Sequence, residues 1–447
     1  MCTAICAWLR QKGVRVVPFK AQNMSNNSFP CVDGGEIGRA QATQAFACGL
    51  EPETYMNPVL LKPNSPTGSQ VVVNGKVWKT LSARDYYDHF DELLQVVLNA
   101  YEHLSRRFDF IVIEGAGSVA ELNLRQYDLA NFGLATRVQA PALLVADIER
   151  GGVFASVLGS IALLEPNERA LLRAFAINKF RGDLSLFDEG RRILEQRSGL
   201  ACLGVFPWVT ENLVEDEDSL CIPDCQGVRG EASHAIIRFP RLSNSTDFRL
   251  IPDAVWVDRP VAQMFQTIFL PGTKNTIGDL RWMKQQGLDE WLLRQARQGA
   301  HIFGVCGGYQ MMGKWVRDPH GVEGEIKEEP GLGLLPLETT ISRTKIVRRV
   351  LAKTAEGIHV HGYEVHMGES TGLEPATALF EVEGIGAEGF RLPGLTGTYL
   401  HGALECPEFL RRVLGIDPRP SKLWGNRYEV LAEWFEQHSQ KFEELFL

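Results

Sequence analysis

Three short apolar runs constrain the first half of the chain: Phe110-Ile111-Val112-Ile113, Ala142-Leu143-Leu144-Val145-Ala146 and Ala174-Phe175-Ala176-Ile177. None alternates apolar with polar residues. Each therefore predicts a strand covered on both faces, as in a parallel sheet flanked by helices. Each run also stops in polar or glycine-rich residues: Glu114-Gly115-Ala116-Gly117, then Asp147 to Gly152, then Asn178 to Asp183. Ligands in open α/β sheets bind beyond the carboxyl ends of the strands. Three ends carrying carboxylates, amides and glycines predict a binding site as well as turns.

A second series of apolar runs, at 234–239, 254–257, 267–270 and 301–305, follows an acidic, turn-rich stretch from Glu215 to Gly227. The change predicts two α/β domains, 1–229 and 230–447, each long enough to bury its own core. Residues 428–447 predict an amphipathic helix. At the other end, residues 2–12 predict a helix stopped by Gly13, with a strand over 14–19. A strand and a loop normally precede such a helix in a parallel sheet, so the expectation is that a segment ahead of Met1 is missing.

Charge and composition narrow the partners. Lys+Arg number 46 against 55 Asp+Glu, a formal charge of −9, which argues against nucleic acid or an anionic membrane. No apolar run reaches the ~18 residues of a membrane span, and the first residues do not read as a secretory signal. Nine cysteines, an odd number without close pairing, predict a reducing, cytoplasmic setting. Nothing in the pattern sets an oligomeric state.

The most specific local pattern is Gly304-Val305-Cys306-Gly307-Gly308-Tyr309-Gln310. An apolar strand runs into Cys306, glycines follow, and a helix begins: the thiol counterpart of a nucleophile elbow. The helix N-terminus favours a thiolate, and the Gly307 N–H is placed to stabilise an oxyanion. A base is needed. His401, in Thr398-Tyr399-Leu400-His401-Gly402, is one candidate; His359, His361 and His366, in a stretch that alternates like a strand, are others. The turn Leu270-Pro271-Gly272-Thr273 predicts a second oxyanion donor, assigned to Gly272.

With these residues in view, the second half resembles a class I glutamine amidotransferase domain, and nearly the whole chain resembles the cobyric acid synthase family. The match is carried by residues 18–25 (PFKAQNMS), 34–41 (GGEIGRAQ), 114–118 (EGAGS), 147–154 (DIERGGVF), the Cys306 turn and 363–368 (YEVHMG). The resemblance implies a flavodoxin-like glutaminase domain in which Cys306 is the nucleophile and His401 its base. Ala403 stands where many such glutaminases carry an orienting Glu, which implies a Cys–His dyad, with Glu405 a minor candidate for that role. It implies a first domain of the P-loop-NTPase-like, dethiobiotin-synthetase-like type, which activates a carboxylate with ATP and Mg²⁺. In that domain Lys20 fits a phosphate or substrate-carboxylate contact, Glu114 a magnesium ligand, Glu36 a second one, and Asn178 an adenine contact. The implied substrates are glutamine, ATP and adenosylcobyrinic acid a,c-diamide, amidated at its b, d, e and g carboxylates, with no tightly bound cofactor. Ser25, Asn26, Asn27, Arg39 and Gln41 are candidate corrinoid contacts. The family's Gly-x-x-x-x-Gly-Lys-Ser/Thr loop is not in this sequence, so the 447-residue form is expected to hydrolyse glutamine but to amidate poorly. Two alternatives remain: a cobyrinic acid a,c-diamide synthase, and a form retaining only glutaminase activity or corrinoid binding.

Overall fold

The computed structural model describes residues 1–64, 68–209, 213–215, 232–374, 377–419 and 425–447. The expected boundary at 229/230 lies outside the described residues. Among those residues no helix is long and apolar enough to cross a membrane.

The three apolar runs are parallel strands, as expected, but only Ala174 to Ile177 are buried throughout; Phe110–Ile113 and Ala142–Asp147 are largely half-buried, and Val145 is exposed. Val16–Phe19 pairs with Phe110–Ile113, and Leu172–Phe180 lies between Ala142–Asp147 and Ala201–Pro207. The register of the first pair sets Phe19 opposite Ile113, so Lys20 and Glu114 leave the sheet side by side. The third strand runs longer than expected. Asn178 lies within it, paired with Asp147, rather than in a loop beyond its tip.

The first helix is Cys2–Gln11, and Gly13, with φ at +79°, ends it in a conformation that glycine adopts without a Cβ clash. The sequence did not reveal a four-stranded sheet built from Gln22–Met24, Val59–Pro63, Gly68–Val73 and Lys76–Ser82. Its strands are short and mixed in polarity, so the signature of a doubly covered strand is absent.

The second domain holds a six-stranded sheet in which Ala254–Val257, His234–Ile237, Thr267–Leu270, His301–Val305 and Leu395–Thr398 run parallel, with Phe390–Leu392 antiparallel at one edge. Apolar side chains cover both of its faces: Ile268, Leu270 and Ile302 on one, Phe269, Phe303 and Val305 on the other. Beside it a long antiparallel hairpin, Leu337–Thr354 with His359–Gly372, is interrupted by a bulge. Ile341 pairs with Gly368 and Ile346 with His366, which leaves residues 342–345 looped out of the ladder.

The C-terminal segment departs from expectation twice. It forms two helices, Arg427–His438 and Phe442–Phe446, with Lys441 at φ +58° between them. Both pack on the first domain, where Leu431, Phe435 and Phe442 share a buried cluster with Ile5, Trp8, Leu9 and Phe206.

Candidate active site

Strand register assembles the second domain's site. Leu270 lies opposite Gly304 and Val305 opposite Thr398, so Cys306, Gly272 and the segment leading to His401 emerge together at the carboxyl ends of three adjacent central strands. Cys306 turns the chain with φ +51° and ψ −111° before the helix Gly307–Met311. A non-glycine residue held in that region is strained, and such strain marks sites where a side chain must be presented outward. Its neighbours must be glycine: a Cβ on Gly308 would stand 2.0 Å from the Leu270 carbonyl oxygen. The Cys306 N–H is taken by the Thr398 carbonyl at 2.8 Å, so it is not an oxyanion donor.

His401 is fully buried and its Nδ1 lies 2.7 Å from Asp247 Oδ2. The other Asp247 oxygen, Oδ1, accepts the Gly402 N–H at 2.8 Å. A carboxylate only accepts, so the ring proton sits on Nδ1 and Nε2 is left for the sulfur. Burial disfavours charge on the ring. Asp247, by charge and hydrogen bond, and then the Cys306 thiol override that effect and push His401 up to about 10. Asp247 thus holds the His401 ring as the third member of a Cys–His–Asp triad would, where the resemblance implied a dyad. His401 Nε2 has no hydrogen-bond partner among the described residues, and the Cys306 thiol lies 3.9 Å from the Val365 carbonyl oxygen. Glu405 does not orient His401: it bonds Arg249 at 2.8 Å and lies 3.5 Å from Arg39. Asp247 sits in the short 3₁₀ turn Ser245–Phe248, 154 positions from His401. No local motif announces it.

The oxyanion pocket also differs from expectation. Leu242–Ser243 pairs antiparallel with Gly272–Thr273, and the Lys274 N–H donates to the Arg241 carbonyl at 2.9 Å. Alternation along such a ladder turns the Gly272 N–H to Ser243 and the Thr273 N–H to the opposite side. That side faces Gly307: a Cβ on Gly307 would stand 3.0 Å from the Thr273 nitrogen. The ladder thus leaves the Thr273 N–H, rather than that of Gly272, turned toward Gly307. Gly272 itself packs against His401, whose Cε1 would lie 3.1 Å from an added Cβ.

The alternative histidines separate by burial. His359 and His361 are exposed. His366 is buried, stacks on Tyr399 with ring centroids 3.9 Å apart, and donates from Nδ1 to the Gly368 carbonyl at 2.8 Å. Burial holds it down to about 4, so it stays neutral and cannot serve as the imidazolium.

In the first domain, Lys20 Nζ lies 2.8 Å from Glu114 Oε1, and Gln44 hydrogen-bonds the other carboxylate oxygen. Glu114 keeps 23 % of its side chain exposed. Both Glu114 oxygens are engaged within the protein, but its exposed share leaves it reachable, as a carboxylate would have to be for a magnesium ion carried mainly by phosphates and water. Glu36 is not reachable. It is wholly buried, bonded to Lys62 Nζ at 3.0 Å, to Ser28 Oγ at 2.7 Å and to Lys345 of the second domain. Burial works against its charge, but Lys345 and Lys62 hold it well below the usual carboxylate range. Among the described residues no group of three or more His, Cys, Asp or Glu side chains is arranged to hold a metal ion.

Comparison with known proteins agrees with both halves. Residues 234–409 match the CobB/CobQ-like glutamine amidotransferase domain, and residues 1–219 match the CobQ/CobB/MinD/ParA nucleotide binding domain. A cobyric acid synthase of Dehalococcoides mccartyi (strain CBDB1) is 42 % identical over 475 residues, covering 97 % of this chain and 92 % of the relative. The chain belongs to the cobyric acid synthase family. Cobyric acid synthases of Syntrophobacter fumaroxidans and of Synechocystis are each 40 % identical, each covering 98 % of this chain and 93 % of the relative.

Within this member of the family, the structure brings Cys306 and His401 together in one domain and Lys20 and Glu114 together in the other. Asn178 lies in the other parallel sheet. Of the candidate corrinoid contacts, Asn26 is half-buried and the other four are buried. Gln41 is buried on Asn23, Ser25 and Asn27 are bonded to each other, and Arg39 is buried beside Glu215 and Glu405.

Proposed function

We propose that this chain is a glutamine-hydrolysing, ATP-dependent amide ligase that converts the b, d, e and g carboxylates of adenosylcobyrinic acid a,c-diamide to amides, as the family name implies. The observation that carries the reading is Cys306, presented at a strained elbow against a His401 that Asp247 keeps cationic. An imidazolium beside the sulfur favours the thiolate. The thiolate attacks the glutamine amide carbon, and the oxyanion that forms takes hydrogen bonds from the Gly307 and Thr273 N–H groups. His401 gives its Nε2 proton to the departing nitrogen as the C–N bond breaks. It then takes a proton from the water that hydrolyses the thioester, releasing glutamate and regenerating the pair.

In the first domain, Lys20 neutralises the phosphates of ATP, Asn178 contacts the base, and Glu114 holds the magnesium that shields the phosphate charge when it is bound. The acceptor enters a cavity of about 540 Å³ walled by Met24, Tyr86, Tyr87, Ser118 and Tyr127. Residues 116–118 of that wall follow Glu114 after the single residue Gly115, so a carboxylate there lies near the proposed phosphoryl site. A cytoplasmic setting suits the seven described cysteines, all unpaired. The test compares nitrogen sources. Cys306→Ala is expected to lose glutamine-dependent amidation while matching the parent chain with free ammonia, at the low rate expected without a Gly-x-x-x-x-Gly-Lys-Ser/Thr loop, with four carboxylates converted by product mass. Unchanged glutamine use by that variant refutes the glutaminase assignment, and two converted carboxylates point to the a,c-diamide synthase.

A further inference from the structure

The third triad member is held by the other domain. Asp247 lies in a turn that begins after Asn244, whose backbone is left-handed at φ +52°. The Asp247 N–H donates to the Asn244 carbonyl at 3.3 Å. Asn244 makes a reciprocal pair with the first domain: its N–H donates to Asn27 Oδ1 at 2.6 Å, and its Oδ1 accepts the Ser28 N–H at 3.1 Å. Asn27, Ser28, Asn244, Asp247 and His401 are all at least nine-tenths buried. Two residues on, Phe29 packs on Tyr363 with ring centroids 5.1 Å apart, and Tyr363 stacks on His401 at 5.2 Å. Residues 27–29 thus brace both the carboxylate and the ring that serve the sulfur.

We infer that Asn27 is a positioning residue of the glutaminase: its side-chain carbonyl fixes Asn244, and through that turn sets Asp247 against His401, so the first domain completes the second domain's triad. The physical basis is specific to this contact. A left-handed asparagine is tolerated but strained, and it persists where its surroundings over-determine it. Without the Asn27 acceptor the buried Asn244 N–H is unsatisfied, and the turn relaxes to recover a partner. Asp247 is three residues away, and a carboxylate displaced from Nδ1 no longer sustains the imidazolium. Glutamine itself is not touched, so the effect falls on the chemical step.

The inference rests on the glutaminase reading of Cys306, and the experiment separates the two. Glutamine hydrolysis is measured in the full chain for Asn27→Ala, Asn27→Asp, Asp247→Asn and Asn27→Ala/Asp247→Asn. Asn27→Ala is expected to lower kcat about 10- to 100-fold with KM within about threefold, the range for a buried hydrogen bond lost at a reacting group. The alkaline limb of its pH profile moves down. Asn27→Asp, which keeps the Oδ1 acceptor, recovers most of the loss. In the Asp247→Asn background the Asn27→Ala change costs less than about threefold, because residues acting through one another are not additive. Full additivity, or an unmoved alkaline limb in a folded Asn27→Ala protein, overturns the inference while leaving the glutaminase reading intact. An unaltered chain that hydrolyses no glutamine overturns both.

Discussion

Replacing Asp247 by asparagine tests the triad with little change of shape, and the structure dictates what the new side chain must do. One Asp247 oxygen accepts the Gly402 N–H at 2.8 Å and the other faces His401 Nδ1 at 2.7 Å. An amide has a single acceptor oxygen, so the Asn oxygen takes the Gly402 N–H and its NH₂ faces Nδ1. That amine requires Nδ1 as an acceptor, which moves the ring proton to Nε2, where the imidazole can no longer accept from the thiol. The charge is lost as well. Asp247, by charge and hydrogen bond, is the largest influence holding His401 up to about 10 against its burial. With that support gone, kcat for glutamine hydrolysis falls roughly 10²- to 10³-fold. The alkaline limb moves from near 10 toward the ordinary histidine range. A coupled assay for released glutamate across pH measures both quantities. An Asp247→Asn enzyme within threefold of the parent, with an unmoved alkaline limb, refutes the triad.

Other expected outcomes follow from neighbouring contacts. Glu405→Gln weakens the pairing with Arg249 and Arg39 and lowers thermal stability, but leaves the alkaline limb in place, since Glu405 does not bond the imidazole. Gly307→Ala places a Cβ 2.6 Å from Thr273 Cγ2, crowds the oxyanion donors and lowers kcat about 10²- to 10³-fold; steady-state kinetics with a melting curve separates this from unfolding. Glu36→Ala leaves Lys62 and Lys345 buried without their carboxylate and costs about 3–5 kcal/mol of stability, read by denaturant titration. Its pH signature has a fixed sign. A depressed carboxylate contributes fully above its unfolded value of 4.5, so the Glu36 contribution is lost as pH falls through and below that value. The His401 contribution runs the other way, present below 6.5 and lost as pH rises through about 10.

What the sequence revealed follows from the range of the interactions involved. The apolar runs ending at Ile113 and Val305 and the glycines around Cys306 are local signals, so strands, elbow and nucleophile were legible. Register then carried Lys20 to Glu114 without any further signal. Asp247 was not legible, because its role depends on a fold that joins positions 154 apart. Glu36 stood as a second magnesium ligand on the family resemblance alone, with no local pattern behind it. Only the tertiary structure shows Lys62 and Lys345 consuming both of its oxygens. The same limit applies to Asn27 and Arg39, polar residues that looked suited to a ligand and are used instead to join the domains. The C-terminal helices carried a clear amphipathic period, but a period does not say which domain the apolar face will cover.

The most direct test of the account is to treat the full chain with a glutamine-like alkylating agent and to locate the adduct by peptide mass spectrometry, with and without competing glutamine. A single adduct on Cys306, blocked by glutamine and formed in step with the loss of glutamate release, is the predicted result. Labelling that spares Cys306 while hydrolysis is abolished, or glutamate release that survives complete labelling of Cys306, contradicts it.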